Sequence, residues 1–375
     1  MSKINQSFVD NGMKVKLPES KTLNISAFEQ MLSLKNLTNS YKLYWFAAVF
    51  DEIRKGNVEI TFGNIVLMMI TRSWYSIAAY RLNLGFMDKL NDLVSYIYER
   101  YQLAKDISRH DLFSFLEDLD DREFETRLTD FYKYVPFRLI SPFYPEIKGF
   151  KDQLKNRKIE ELSKSNDEAI YQIYSPEKKI IINNNWFDYI YKNQVIISGW
   201  YYYKLIFFLQ KRNPSIPAIP YKLEAPKKRY LKNAKIFWSK IIKFSPLIDI
   251  CTNQPISSDN LSIDHFIPWS FVLHDQLWNL VPTFQAINSS KSDGLPQLEL
   301  YLDKFCNLQY YAFITALEKK FPMRLVEDYI EIARDIIFSK NIRSDIFVRN
   351  LKENIIPLYQ LARNQGFPVW EYPGC

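Results

Sequence analysis

Apolar residues recur at helical spacing through much of the N-terminal part of the chain. Behind the polar pair Asn39-Ser40, apolar side chains repeat every three or four residues, which predicts a helix with one buried face. These positions are Leu43, Phe46, Phe50 and Ile53. Similar stripes predict helices after Thr61, over residues 87–101 and from Trp186 onward. Because such stripes usually pack between helices, we expect a helical core here rather than a base-stacking surface.

Two other patterns interrupt the helices. Residues 170–174 and 179–182 are rich in Ile and Tyr and flank a Ser-Pro-Glu-Lys turn, which predicts a β-hairpin near 170–182. Prolines then recur every third residue at Pro214, Pro217 and Pro220. A spacing of this kind favours a stiff, extended connector, so we place the main domain boundary there.

The helical pattern returns after Pro296. Leu298, Leu302 and Phe305 form one stripe, and further helices are predicted from the sequence. These cover residues 310–320, 325–338 and 346–361. The chain therefore reads as a mostly helical protein in which a short segment between Cys251 and Pro296 carries strand-like patterns.

Composition narrows the class of protein. A chain of 375 residues with 47% hydrophobic and 16% aromatic residues can bury two or three cores. Three widely spaced cysteines do not form a disulfide framework. The first residues lack the apolar core of a signal peptide. The longest apolar run, residues 195–209, is too short to span a bilayer. We expect a cytoplasmic protein without a membrane partner.

Positive charge is concentrated just before the strand-like segment. The net charge is +7 and the pI is near 8.9, which is compatible with a polyanionic partner. The basic residues predicted to contact nucleic acid are Lys227, Lys228, Arg229, Lys232 and Lys235. A solvated helix face is the alternative interpretation. We favour a surface that follows phosphates, because the segment adjoins the residues with candidate chemistry.

The candidate chemistry centres on the pair Asp264-His265. Phosphodiester hydrolysis needs a base that activates water, and an imidazole is suited to this because its ordinary pKa lies near neutrality. His265 is the candidate base. Adjacent residues of a strand point to opposite faces, so both side chains can serve one site only if the strand ends at His265. Pro268 is consistent with such an ending.

Three more positions, together with Asp264, complete the set. Asp264 and Asn288 offer hard oxygen atoms for one divalent cation, Mg²⁺ or Mn²⁺. Asn279 is expected on the second strand, where it would fix the loop or the His265 ring. Lys291 lies one helical turn beyond Asn288 and is expected to reach a phosphate, so it belongs to both the catalytic and the nucleic-acid-binding predictions.

This arrangement resembles the HNH (ββα-metal) endonucleases. It is similar to the HNH domains of RNA-guided CRISPR effector nucleases and equally to stand-alone HNH nucleases of bacterial anti-phage defence. The resemblance covers residues 251–296 and implies that His265 is the general base, that Asp264 and Asn288 bind the metal, and that Asn279 is structural. It also implies products with a 5′-phosphate and a 3′-hydroxyl.

The chain departs from the family pattern at its cysteines. Many members bind a structural zinc through paired Cys-x-x-Cys motifs, whereas here Cys251 is followed by Gln254 at the second position and Cys306 has no counterpart. We therefore expect no structural zinc. The RNA-handling regions of a CRISPR effector are also absent, so use of a guide RNA is not implied.

The resulting prediction is an α+β, mostly α-helical protein with a ββα-metal HNH core embedded between helical regions. The predicted domains are a helical region at 1–215, a Pro-rich connector and basic helix at 216–248, the core at 249–300, and a packed helical region at 301–375. The predicted function is a metal-dependent HNH endonuclease that cuts DNA in bacterial defence or restriction. A partner ATPase or sensor, or self-association, is expected through the helical regions. The alternatives are a catalytically silent DNA-binding scaffold and an HNH nuclease that acts on RNA.

Overall fold

The computed structural model describes residues 15–35, 37–227, 229–332 and 343–372. Helices account for most of these residues and the strands form small sheets, so the expected α+β, mostly helical class is confirmed. The described residues fall into two compact units. The first contains the chain up to Pro214 together with Lys222–Ala225, and the second contains Ser215–Tyr221 and the chain from Pro226 onward. Across the described ranges, none of the helices has both the length and the apolar character needed to cross a membrane.

The first unit is built mainly from helices. They are α1 (Ile25–Met31), α2 (Tyr41–Lys55), α3 (Phe62–Trp74), α4 (Lys89–Tyr101), α5 (Arg109–Glu117), α6 (Arg122–Tyr132), α7 (Val135–Ile140), α8 (Asp152–Ser165), α9 (Asn184–Lys192) and α10 (Gln194–Arg212). Polar side chains cap several of them: Thr61 Oγ1 accepts a hydrogen bond from the Asn64 N–H at the start of α3, and Asp121 caps α6. The helices predicted behind Asn39-Ser40 and after Thr61 correspond to α2 and α3.

The predicted hairpin is present and belongs to a three-stranded sheet. Strands β2 (Tyr171–Tyr174) and β3 (Lys179–Ile182) pair antiparallel, and β1 (Glu59–Thr61) pairs with the other edge of β3. Ile180 lies opposite Ile173 on one side and Ile60 on the other, and all three are buried. The sheet therefore presents one apolar stripe to the core of the first unit.

Aromatic residues fill the core between the helices of the first unit. The Phe28 ring stacks on Trp186 with ring centroids 5.1 Å apart and on Trp200 at 5.5 Å. All three side chains are buried. The expectation that aromatic stripes pack between helices is confirmed for these residues.

The second unit combines long helices with short strand pairs. Its helices are α11 (Lys232–Ile242), α12 (Trp269–Val272), α13 (Gln285–Lys291), α14 (Leu298–Glu318) and α15 (Ser344–Asn364), and its strands are β4 (Leu247–Ile248), β5 (Pro255–Ile256), β6 (Ser262–His265), β7 (Leu280–Thr283), β8 (Leu295–Pro296) and β9 (Val369–Trp370). Strands β4–β5 and β6–β7 pair antiparallel, whereas β8 and β9 pair parallel. One apolar cluster joins these elements.

Two helix predictions in this unit need correction. The stripe at Leu298 and the separate helix predicted over 310–320 are one continuous helix, α14, because buried apolar positions continue from Phe305 to Phe313 without Gly or Pro. The chain first forms 3₁₀ turns at Met323–Leu325 and Glu327–Tyr329, and within the described part of the predicted 325–338 only residues 330–332 are α-helical. The remainder of that prediction, from residue 333 onward, lies outside the described residues.

Candidate active site

The Asp264-His265 pair ends the first strand of a strand-strand-helix arrangement. Strand β6 pairs with β7, and α13 follows β7 and packs against β6. Ile263 lies in the apolar core and anchors β6. The strand ends at His265, as is required if two adjacent side chains are to serve one site. Asp264 and His265 can therefore contribute to one site.

In the described part of the chain, the His265 ring is held at one of its two nitrogens. Its side chain is 1% exposed, and Nε2 lies 2.9 Å from Oδ1 of Asp275. Within the described residues, the buried Nδ1 atom has no hydrogen-bond partner. An acceptor nitrogen in this state has its lone pair available for a proton.

Lys291 is buried beside Asp264. Its Nζ lies 2.8 Å from Oδ2 of Asp264, and each side chain is 5% exposed. The same ammonium donates to the backbone oxygen of His265 over 2.8 Å. We expected Lys291 on a substrate phosphate from the sequence, whereas in the structure its charge is engaged inside the unit.

Asn288 is oriented by its amide nitrogen. Nδ2 donates to Oγ of Ser262 and to the backbone oxygen of Ile263, each over 3.0 Å. The carbonyl of Ile263 can only accept, so the atom facing it must be nitrogen. This contact fixes Oδ1 as the free end of the amide.

Asn279 clamps the chain that follows His265. Its Oδ1 accepts the N–H of Ile267 over 2.8 Å, and its Nδ2 donates to the carbonyl of the same residue over 3.0 Å. The side chain is fully buried. Asn279 lies in a 3₁₀ turn just before β7 rather than on the strand itself, and it fixes the loop, which is one of the two roles expected from the sequence.

Oxygen atoms are available for a divalent cation. Within the described residues, Oδ1 of Asp264 and Oδ1 of Asn288 have no hydrogen-bond partner. Carboxylate and amide oxygens are the donors that Mg²⁺ and Mn²⁺ prefer, so this pair fits such an ion. In the described ranges, three or more His, Cys, Asp or Glu side chains do not gather into a group that could hold a metal. A cation here would need further oxygen atoms from water or substrate.

The loop after α12 brings two ionisable residues to the site. Burial opposes the ionisation of Asp275, but hydrogen bonds from His265 and from the Tyr230 backbone outweigh it and lower the pKa of this carboxyl. Burial, together with the nearby His265, lowers the pKa of His274 to about 4. At neutral pH the site therefore contains an ionised Asp275 and a neutral His274.

A tight hairpin that contains Cys251 precedes β6. Strands β4 and β5 form it, and the fully buried Asp249 holds its turn. Oδ2 of Asp249 accepts the N–H groups of Cys251 over 3.2 Å and of Thr252 over 2.7 Å. Burial raises the pKa of the Cys251 thiol to about 12. A carboxylate thus stabilises this turn through hydrogen bonds.

The basic segment lies beside this strand-strand-helix arrangement. Helix α11 packs against β6 and α14 through an apolar face that includes Phe237, Trp238 and Ile241. Lys227, Arg229, Lys232 and Lys235 are exposed. Lys228, also predicted to contact nucleic acid, lies outside the described residues. Lys291 is buried and does not share this exposed surface.

Sequence reasoning missed two contacts of the site. Asp275 was not singled out because a polar residue in a loop has no periodic pattern, although its place between His265 and Asn279 was a weak signal. Ser262 was not among the predicted site residues, whereas its hydroxyl accepts a hydrogen bond from Asn288. Both contacts depend on tertiary structure, which local spacing does not encode.

Comparison with known proteins supports the same segment. The model of the HNH endonuclease family matches residues 249–297, from the β4–β5 hairpin to the residue before α14. The resemblance inferred from the motif is therefore confirmed for this part of the chain. Searches among curated proteins and among solved structures gave no match.

Proposed function

We propose that the HNH endonuclease domain at residues 249–297 hydrolyses DNA phosphodiester bonds, with His265 as the general base and one Mg²⁺ or Mn²⁺ ion held by Asp264 and Asn288. The observation that carries this proposal is the state of the His265 ring. Its Nε2 is bound by Asp275 while its Nδ1 has no partner within the described residues. A base in this arrangement is ready to accept a proton.

The proposed reaction is a single displacement at phosphorus. Nδ1 of His265 takes a proton from water, and the water oxygen forms a bond to phosphorus. The bond between phosphorus and the 3′-oxygen breaks, and that oxygen takes a proton from solvent. The products are a 5′-phosphate and a 3′-hydroxyl. A bound divalent cation would supply Lewis-acid stabilisation of the charge that develops on the phosphoryl group.

Other residues support the site without touching the reacting atoms. Asn279 holds the backbone of Ile267 and thereby the turn that follows His265. The Lys291 ammonium compensates the charge of Asp264 and binds the His265 carbonyl. We assign Lys291 to this supporting role. The exposed Lys227, Arg229, Lys232 and Lys235 are proposed to contact phosphates of the substrate.

Cleavage of supercoiled plasmid tests the proposal directly. Wild-type protein is incubated with Mg²⁺ or Mn²⁺, alongside EDTA, His265→Ala, and His110→Ala as the matched control, because His110 is an exposed histidine of the first unit. We expect metal-dependent nicking or linearisation that His110→Ala retains and His265→Ala loses by about 10²–10⁴-fold. Equal cleavage by His265→Ala would contradict the assigned base.

The nucleic acid itself is tested with labelled substrates of one sequence. Duplex DNA, single-stranded DNA and RNA are compared at equal concentration. We expect cleavage of DNA at the higher kcat/KM. A clear preference for RNA would replace DNA as the proposed substrate and leave the HNH assignment untouched.

A second candidate function is a catalytically silent DNA-binding subunit. The ion pair between Lys291 and Asp264 favours it, because an ammonium already engages one oxygen of the proposed metal ligand. Under this alternative, wild type and His265→Ala would bind DNA equally and neither would cleave it with any divalent cation. Metal-dependent cleavage by wild type would exclude it.

We also infer that the protein is the effector nuclease of a bacterial anti-phage defence or restriction system. The resemblance to stand-alone defence nucleases supports this role. The separate first unit offers a surface for a partner ATPase or sensor, or for a second copy. Plating phage on cells that express wild type or His265→Ala tests the role, and equal plating on both strains would contradict it.

A further inference from the structure

Asp275 connects the His265 ring to the backbone of the basic segment. Its Oδ1 lies 2.9 Å from Nε2 of His265, and its Oδ2 accepts the N–H of Tyr230 over 3.0 Å. Each carboxylate oxygen therefore has its own partner. The ring is almost completely buried, and Asp275 is about one-fifth exposed, so solvent competes weakly for these bonds.

The contact determines which ring nitrogen bears the proton. The pKa of Asp275 is lowered by the hydrogen bonds from His265 and Tyr230, so this carboxyl is ionised and can only accept. Nε2 must then be the donor, and the neutral ring bears its hydrogen there. The remaining nitrogen, Nδ1, is left with a free lone pair and without a partner in the described part of the chain.

We propose that Asp275 is a positioning residue, which fixes the His265 ring with its proton on Nε2 so that Nδ1 accepts the proton from water. This inference rests on the proposed function for its catalytic consequence, but the control of the tautomer is a property of the free protein. When Nδ1 takes the proton, the ring becomes a cation with a hydrogen on each nitrogen. The adjacent carboxylate of Asp275 stabilises that cation.

Asp275→Asn separates this role from simple support of the loop. The substituted side chain keeps its size, and its amide oxygen can still accept from Tyr230. Its amide group can then donate to Nε2, which selects the ring form protonated on Nδ1. That form cannot accept the proton from water, so the variant should fold and bind nucleic acid but lose turnover.

Asp328→Asn is the matched control. Oδ2 of Asp328 accepts the N–H of Leu277 over 2.9 Å, so this carboxylate also holds the loop between His265 and Asn279 through a backbone group. The structure records no contact between Asp328 and the His265 ring. A defect caused only by loosening of the loop should affect both variants.

Two measurements decide the proposal. ¹⁵N NMR of the free protein, with the His265 ring neutral, should report hydrogen on Nε2 in wild type and Asp328→Asn and on Nδ1 in Asp275→Asn. Kinetics on plasmid DNA should give a kcat reduced about 10²–10⁴-fold in Asp275→Asn, with KM little changed. An unchanged tautomer in Asp275→Asn would overturn the proposal, whatever the kinetics.

The outcomes also separate this inference from the proposed function. A tautomer that switches in Asp275→Asn supports control by Asp275 even if wild type cleaves no nucleic acid, and in that case only the proposed function fails. A tautomer that switches while kcat stays at the wild-type value would overturn Nδ1 as the catalytic nitrogen.

Discussion

The ammonium of Lys291 lies 2.8 Å from Oδ2 of Asp264, and both side chains are almost completely buried. Lys291 also donates to the carbonyl of His265, so one cation is bound to both residues of the central Asp-His pair. Buried ion pairs depend on both partners, because loss of one leaves an uncompensated charge in a poorly solvated place.

Removal of the Lys291 charge should therefore weaken the fold and increase metal binding. We expect Lys291→Met to lower the free energy of unfolding by about 3–5 kcal/mol, because Asp264 loses its counter-ion. For the same reason Mn²⁺ or Mg²⁺ should raise the melting temperature of this variant more than that of wild type. Thermal unfolding with and without the cation measures both effects.

Two further variants complete this experiment: one controls for loss of a lysine side chain, and the other removes both charges of the ion pair. Lys243→Met removes an exposed lysine of the same unit and should leave stability within about 0.5 kcal/mol of wild type. The double variant Asp264→Asn with Lys291→Met should recover part of the lost stability and lose the response to cations. Equal cation responses in wild type and Lys291→Met would count against Asp264 as the metal ligand.

Asn279→Ala should destabilise the second unit. The substitution leaves the buried N–H and carbonyl of Ile267 without the partners that Asn279 supplies. Each unsatisfied buried group costs about 1–3 kcal/mol, so for the two groups we expect a loss of about 2–6 kcal/mol in urea unfolding. Asn354→Ala, at an exposed position of α15, should change stability by less than about 0.5 kcal/mol. Equal losses in the free energy of unfolding for the two variants would show that the hydrogen bonds from Asn279 to Ile267 contribute little to stability.

Gly294→Ala should be poorly tolerated because another element lies too close. A Cβ at this position would lie 2.7 Å from Cβ of Trp370 and 2.8 Å from the backbone oxygen of Lys291. Relief requires a backbone shift, so we expect a loss of about 1–3 kcal/mol and reduced nuclease activity as the end of α13 moves.

Gly199→Ala supplies the opposite control for the same substitution. Gly199 lies within α10, and apart from its chain neighbours and the helix's own backbone, a Cβ there would have no heavy atom within 4 Å. Alanine is the better helix former, so this variant should gain about 0.5–1 kcal/mol. Urea unfolding of both variants tests this pair of predictions. A Gly294→Ala variant as stable as wild type would show that the backbone near Trp370 moves away at little cost.

Lys222 should make the stability of the first unit depend on pH. Burial lowers the pKa of its amine from 10.5 to about 7. Between these values the unfolded chain binds a proton that the folded state does not, so the free energy of unfolding should fall as the pH falls from 10.5 towards 7. Below pH 7 this contribution should be constant.

Lys222→Met removes this dependence. We expect the variant to be more stable at pH 7 by roughly 2–5 kcal/mol, with a flatter pH profile between neutral and alkaline pH. Lys21→Met removes an exposed lysine of the same unit and should keep the wild-type profile. If the free energy of unfolding of Lys222→Met varied with pH as steeply as that of wild type, other groups would cause the pH dependence.

Local pattern predicted the parts of this protein that depend on near neighbours in the sequence. The helix after Thr61, the hairpin near 170–182 and the strand ending at His265 follow from caps, alternation and motif spacing. The pairing of Ile60 with Ile180 did not follow, because it joins residues far apart in the chain.

Within the site too, sequence spacing predicted which residues take part but not their tertiary contacts. Motif spacing identified Asp264, His265, Asn279 and Asn288, but not what their side chains touch. The burial of Lys291 could not be predicted from its spacing. Helical spacing shows that Lys291 shares a helix face with Asn288, but it does not show whether the side chain is exposed or buried. Asp275 remained hidden because its partner is a ring ten positions earlier and no periodicity links them.

The parallel pairing of β8 with β9 has a consequence for synthesis. The segment that follows α13 pairs with a strand whose residues are translated after α14 and α15, and the contact of Gly294 with Trp370 depends on the same residues. While those helices are still being made, the nascent chain already contains Asp264, His265 and Asn288 but lacks the strand that supports the end of α13. The strand that supports the end of α13 therefore leaves the ribosome well after the candidate site residues, and its pairing with β8 must wait until α14 and α15 have been synthesised.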